Sequence, residues 1–376
     1  MSLTGRTSDS SRVQVTVIYP FVPHYRVPVF NELLRAKRLE YRIVAGATAQ
    51  QPSLLLAGEA EIPDLRTIRN RWCGKALFQP AAIAYALRRP SDVTVMLGDV
   101  SYVSNWLVAA ILRLRRRRVV FWTIGWHRPE TGFRRRVRLS YYKLANQLFL
   151  YGTVGRQVGL QAGYPAARMW VIGNSLAGPS APLPAAIATD RAPETVGAVI
   201  RPNANKRLDL LLRAVAALRA EGRDVNVLIA GDGPELPALR KTAAALSVPL
   251  STPGAIYEER RLREIYEVLR VTVVPEAVGL TAIQSIAFGT PVITAGDPYK
   301  QMPEYEAVKP GVTGDLYAPG DVGELARAIA RWLDRTQEID EDRVARACRA
   351  EFESSWTPRA HADRITEGIL RMLDAA

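Results

Sequence analysis

This sequence predicts an α/β fold of two doubly wound units, each a parallel sheet covered by helices. Three observations carry that expectation. The length of 376 residues exceeds one ordinary core and favours two domains. Short β-branched runs alternate with amphipathic helical stretches, the pattern of a parallel sheet buried on both faces. The alternation stops at a segment of prolines and small residues, AGPSAPLPAAIATDRAP at 177–193, and then begins again.

The first unit opens with VQVTVIY at 13–19, a β-branched run closed by Pro20; the loop 21–25 then leads into an amphipathic stretch at 27–34. Further strands are expected at 41–45, 93–97 and 119–123, with helical stretches such as 106–114 between them. Beyond the proline-rich segment the expected order is strand 196–200, helix 208–220, strand 225–230, helix 236–246, strand 271–274, helix 281–288 and strand 292–294. From Glu324 onward the tail is helical in pattern. Its Ile329, Trp332, Leu333, Ile365, Ile369 and Met372 fall at helical spacing and are assigned to the core. The expected domains are 1–180 and 195–355, joined by a linker at 181–194, with a final helix at 356–376.

Composition narrows the class. Apolar residues at 48% and charged residues at 23% exclude a disordered or fibrous chain. No apolar run reaches the roughly 18 residues that span a bilayer, and the first twenty residues lack the basic start and apolar centre of a signal peptide. The expected location is therefore the cytoplasm. Cys73 and Cys348 form no CxxC pair, which argues against a disulfide framework or a thiolate zinc site. Charge is uneven: residues 1–180 carry 26 Lys and Arg against 9 Asp and Glu, while residues 181–376 carry 24 against 28. Two arginine runs concentrate it, Arg113 with Arg115 to Arg118, and Arg134 to Arg136 with Arg138. Each run alone is also what a solvated face looks like. Two in one half favour an anionic membrane surface as a partner, peripheral and from the cytoplasmic side. Nucleic acid is not expected, because the runs lack interleaved stacking aromatics.

In open parallel sheets ligands bind beyond the carboxyl ends of the strands, so the loops after each strand are the places to look. The loop after 196–200 carries Arg201 and Lys206 ahead of a helix, a cationic pocket suited to a diphosphate. After 225–230 comes Gly231-Asp232-Gly233-Pro234, whose glycines allow a tight turn and a close approach and whose proline is placed to open a helix. Leu236 stands where a dinucleotide fingerprint needs its third glycine, which argues against a dehydrogenase. After 271–274, Glu276 precedes Gly279, Leu280 and Thr281, so helix-terminal amides for a phosphate sit beside a carboxylate for sugar hydroxyls. In the first half, His24, Tyr25, Arg26 and His127 all follow predicted strands.

Arg201, Lys206, GDGP, Glu276 and GLTAIQSIAFGTPVI together resemble the donor domain of family 4 retaining glycosyltransferases, most strongly over 196–320 and continuing through Pro303-Glu304 and Gly311 to Gly314. The resemblance implies the GT-B fold, two Rossmann-like domains facing a cleft, with the C-terminal helix returning to the N-terminal domain. It implies a nucleoside-diphosphate-sugar donor and an acceptor hydroxyl, lipid-linked for many members, in cell-surface polysaccharide, glycolipid or natural-product assembly. Retention without a metal or other cofactor is also implied. The family interval of five residues from Arg to Lys is kept by Arg201 and Lys206, which then hold the diphosphate. Glu276 matches the first of two carboxylates, the one on the donor sugar, whereas the second position is Gln284, where a carboxylate ordinarily meets the ribose. Ile200 also stands where a glycine is usual. His127 resembles the family's cleft histidine, and HYRVPVFNEL at 24–33 its acceptor-side opening. The chemistry required is stabilisation of the departing diphosphate by fixed cations and amides. The only DxD is Asp340-Glu341-Asp342, where acidic residues suit a helix start. The competing class is a non-catalytic GT-B protein that binds an anionic membrane.

Overall fold

The computed structural model describes residues 12–49, 55–88, 90–180, 194–338 and 341–375. The expected linker at 181–194 lies outside the described residues as far as 193, as does Asp340.

The first unit comprises Met1–Tyr151, Gly155–Ile172 and Ala362–Ala376. Its strands are β1 (Gln14–Tyr19), β2 (Glu40–Gly46), β3 (Arg66–Ile68), β4 (Arg71–Cys73), β5 (Ala76–Phe78), β6 (Val93–Leu97), β7 (Arg118–Thr123), β8 (Gln147–Leu150) and β9 (Met169–Val171). Seven of them form one parallel sheet in the order β3-β2-β1-β6-β7-β8-β9, while β4 and β5 pair as an antiparallel hairpin. Near-continuous apolar strands such as VVFWT in β7 are what a sheet buried on both faces requires. The chain winds outward from β1 to β3 and returns to β6, so strand order reverses between β1 and β6.

The second unit comprises Gly152–Val154 and Gly173–His361. Its strands are β10 (Glu194–Val199), β11 (Val225–Ala230), β12 (Leu250–Ser251), β13 (Val271–Val273), β14 (Val292–Ala295) and β15 (Gly314–Tyr317), all parallel in the order β12-β11-β10-β13-β14-β15. Here the order reverses between β10 and β13. Helices Leu208–Ala220 and Val322–Glu338 pack together and bury Leu211, Leu212, Ile329, Trp332 and Leu333 in the core of this unit.

The chain enters the second unit at Gly173, ahead of the proline-rich stretch. The Asn174 amide donates to the buried Glu304 carboxylate, Ser175 Oγ lies 2.9 Å from His361 Nδ1, and Leu176 N–H donates to the Trp356 carbonyl at 3.3 Å. At the other end, helix Pro358–Asp374 belongs to the first unit from Ala362 onward. Ile365 and Ile369 are fully buried against that sheet, and the Trp170 indole donates to the Arg364 carbonyl at 2.9 Å. Met372 packs at the margin of this core, half-buried, where the spacing had assigned it to the interior. Cys348 is buried and Cys73 exposed.

Candidate active site

Both reversals of strand order create a crevice beyond the strand ends, which is where open α/β sheets bind ligands. In the second unit the two loops that leave this point are 200–207 after β10 and 274–279 after β13. They are stitched to each other twice: Glu276 N–H donates to the Lys206 carbonyl at 3.2 Å, and the Lys206 ammonium donates to the Ala277 carbonyl. Burial lowers the Lys206 pKa from its ordinary value, and the nearby Glu304 carboxylate pulls it back up. The result is a desolvated cation held by one carbonyl. Arg201 stands exposed on the same loop.

Ala277 adopts φ +49°, a left-handed conformation that costs a residue with a Cβ about 1–2 kcal/mol. That strain turns its carbonyl toward Lys206, and a buried glutamine holds the loop in place. Gln301 accepts from Val278 N–H at 3.0 Å, and its own amide donates to Thr294 Oγ1 at 2.8 Å and to the Ala295 carbonyl at 2.9 Å. Gly279, at φ +62°, is the residue before helix Leu280–Ala287; a Cβ there would stand 3.9 Å from Lys206 Nζ. The first amides of a helix have no acceptor within it. Those of Leu280 and Thr281 thus start beside the Lys206 ammonium. The Thr281 hydroxyl instead donates to the Val199 carbonyl at 3.1 Å and anchors the helix to β10. Glu276 is mostly buried, its carboxylate 4.0 Å from the exposed Lys300 ammonium.

Gly231 and Gly233 serve the scaffold in a specific way. A Cβ on Gly231 would meet the Ile200 carbonyl oxygen at 2.0 Å, and one on Gly233 the Pro202 carbonyl oxygen at 2.3 Å. The space these glycines leave is taken by the 200–202 backbone, so they let the Arg201 loop lie flat across the end of β11. Pro237, rather than Pro234, occupies the first turn of helix Leu236–Ala245. Gln284 lies one turn along its helix from Gly279. Its Oε1 accepts from the Tyr266 hydroxyl at 3.1 Å, and the Tyr266 ring stacks on Phe288 at 4.7 Å.

In the first unit the loop after β1 carries His24, Tyr25 and Arg26. His24 is exposed, its Nε2 3.6 Å from Glu61. Arg26 is buried: it donates to the Tyr151 hydroxyl at 3.1 Å and lies over the rings of Tyr25, Trp122 and Tyr151. Such a guanidinium props the loop from within, and Tyr25 above it is 39% exposed. His127, after β7, is exposed; partial burial and the cations Arg138 and Arg128 lower its pKa. The hairpin β4–β5 adds a feature that sequence reasoning missed. Trp72 stands 6.5 Å from Phe21 and 6.1 Å from Tyr102, while Asp99 accepts from Ser101 N–H and Oγ at 2.8 and 2.7 Å. Three-residue strands give too short a pattern to announce themselves. Gln301, Glu304 and Tyr266 were also not given roles, because each acts only through partners distant in sequence.

Comparison with known proteins bears on the fold and the class of protein. Residues 193–335 match the family model described as glycosyl transferases group 1, and all of that stretch falls within the second unit. The chain is 33% identical to D-inositol 3-phosphate glycosyltransferase 2 of Catenulispora acidiphila over 44% of this chain and 41% of that one. It is 34% identical to D-inositol 3-phosphate glycosyltransferase of Mycobacterium sp. strain KMS over 40% of this chain and 35% of that protein. The chain thus spans less than half the length of these curated relatives. Among solved structures, the apo lipopolysaccharide outer core galactosyltransferase WaaB superposes with a TM-score of 0.70 at 12% identity, covering 95% of this chain and 99% of that one. HepE of Anabaena with UDP-glucose gives 0.67 at 17%, covering 96% and 100%. Sucrose-phosphate synthase of Thermosynechococcus elongatus gives 0.70 at 18%, covering 97% and 100%. The fold is GT-B. Among the described residues no helix is long and apolar enough to cross a membrane.

Proposed function

We propose that this protein is a retaining glycosyltransferase of family 4 that moves a hexosyl group from a nucleoside-diphosphate sugar to an acceptor hydroxyl, without a metal. One observation carries the reading: at the strand-order reversal of the second unit a desolvated Lys206 ammonium stands beside Gly279, ahead of the helix amides of Leu280 and Thr281, and Glu276 lies on the same loop after β13. Diphosphate departure builds negative charge, and preorganised cations and amides in a water-poor site stabilise it most effectively. Lys206, Arg201 and the two amides take the diphosphate, and Glu276 accepts from sugar hydroxyls. Gln284 faces the ribose. Gly231 and Gly233 hold the Arg201 loop in its place.

The acceptor binds at the reversal of the first unit, where His24, Tyr25 and His127 join the Phe21, Trp72 and Tyr102 rings and the Asp99 carboxylate. Work in the cytoplasm at an anionic membrane, on a glycolipid or cell-surface polysaccharide precursor, suits the basic first half. The runs divide the labour: Arg117 pairs with Asp92 at 2.7 Å and Arg138 forks onto Glu130 at 2.7 and 2.8 Å. Arg113, Arg116, Arg134 and Arg136 remain exposed, beside Leu114 and Phe133 at 85% and 80% exposure.

The test is a thermal-shift panel of UDP, GDP, TDP and their sugars, followed by turnover on the donor that stabilises the fold. Lys206→Ala and Arg201→Ala should each lower turnover by about 100-fold or more, the usual cost of one preorganised donor to a developing anion. Turnover should persist in EDTA. Near-normal turnover of both variants would remove these residues from the site and the reading with them.

A further inference from the structure

Between β1, β2, β3 and helix Pro80–Arg88, the first unit holds a cavity of about 350 Å³ on one face of its sheet, within the usual size range for a small-ligand site. Its floor follows from strand register. Ile18, Val44 and Arg66 are Cα partners across β1, β2 and β3, so in this parallel sheet their side chains share one face, and Ile68 lies two residues on along β3. Helix Pro80–Arg88 forms the wall. Ala82 of this helix is buried, the small Ala81 and Ala84 line the opening, which is why space remains, and Tyr85 closes one side with its hydroxyl accepting from Ser91 N–H at 2.7 Å.

Floor and wall are apolar, while the exposed arginines Arg66 and Arg88 mark the rim from opposite sides, one on the sheet and one on the helix. Neither has a carboxylate within ion-pair distance among the described residues, whereas the neighbouring Arg42 pairs with Glu40 at 2.8 Å. No acidic side chain lines the cavity. Two unneutralised guanidinium groups over an apolar pocket match a ligand with a short hydrocarbon body and a phosphate or carboxylate head, since guanidinium binds such oxyanions in fork geometry.

We propose that this cavity, lined by none of the residues given to glycosyl transfer, is a binding site for a small amphiphilic anion, independent of that reading. The test is calorimetry on the full chain with hexyl phosphate, against inorganic phosphate and hexyl glucoside as probes lacking the tail or the charge. Hexyl phosphate should bind with one-to-one stoichiometry, at least about tenfold more tightly than either control, and Arg66→Gln or Arg88→Gln should weaken it at least about tenfold. Both positions are exposed, so these variants keep the fold. Ala84→Phe, which fills the cavity and leaves the charges, should abolish binding, with melting temperature checking integrity. Vesicles of phosphatidylcholine with and without phosphatidylglycerol separate the sources: a lipid head is the ligand if the same variants also lose vesicle binding, a free metabolite if they do not. No binding of hexyl phosphate, equal binding of inorganic phosphate, or affinity unchanged in all three variants would overturn the proposal.

Discussion

Replacing Gln301 by leucine tests how far the loop 274–279 is held by one buried amide. The side chain makes three hydrogen bonds at 2.8 to 3.0 Å and is only 4% exposed. Leucine fills most of the volume but leaves Val278 N–H and the Ala295 carbonyl buried without a partner. Each unsatisfied group costs about 1–3 kcal/mol, so the variant should lose roughly 2–6 kcal/mol of stability. A domain of this size shifts by about 2–4 °C per kcal/mol, and the melting temperature should fall by at least about 4 °C while the fold survives. The loop then loses its side-chain tie to β14 and keeps its bonds to Lys206, Ala295 and Tyr317 against the φ +49° strain at Ala277, so the carbonyl that receives Lys206 drifts. Affinity for whichever nucleoside diphosphate stabilises the parent, read by calorimetry well below the melting point, should fall at least about tenfold. A variant that melts within a degree of the parent and binds that nucleoside diphosphate equally would refute the account of this loop.

Three further outcomes follow from the same geometry. Gln284→Glu should tighten the preferred nucleoside diphosphate several-fold, since one carboxylate oxygen can keep the Tyr266 hydroxyl while the other accepts from the ribose, with little effect on a 2′,3′-dideoxy analogue; equal effects on both ligands would exclude the ribose role. The lowered His127 pKa leaves its imidazole predominantly neutral at pH 6.5, so turnover that needs the neutral ring should persist through pH 6.5 and fail only at lower pH, where the ring protonates. An acid limb above 6.5 that His127→Gln removes would contradict this. Reversing Arg113, Arg116, Arg134 and Arg136 to glutamate should abolish pelleting with anionic liposomes at low salt, and unchanged pelleting would mark both runs as solvated faces.

Much of the scaffold was legible in the sequence because it rests on local pattern. The apolar runs of β6 and β11 and helices Val27–Leu34 and Leu208–Ala220 stand at the residues their periodicity indicates. Short strands escaped: β12 has two residues, and β15, GDLY, carries a glycine and an aspartate that read as a turn. They become strands only because a neighbouring strand offers a ladder. The same contrast governs the site. Glycines, a helix start and charged residues after a strand mark where phosphate chemistry is possible, since they are properties of consecutive residues. Which oxygen Lys206 bonds, which side of Gly231 is occupied, and what holds Val278 depend on residues 23 to 71 positions away. The sequence by itself therefore determined the two alternating units and the residue types at their strand ends. Only the tertiary structure decided the strand order, and with it the reversals that bring those ends together. It also decided the buried partners, because a hydrogen bond between distant residues leaves no periodic trace in the chain that makes it.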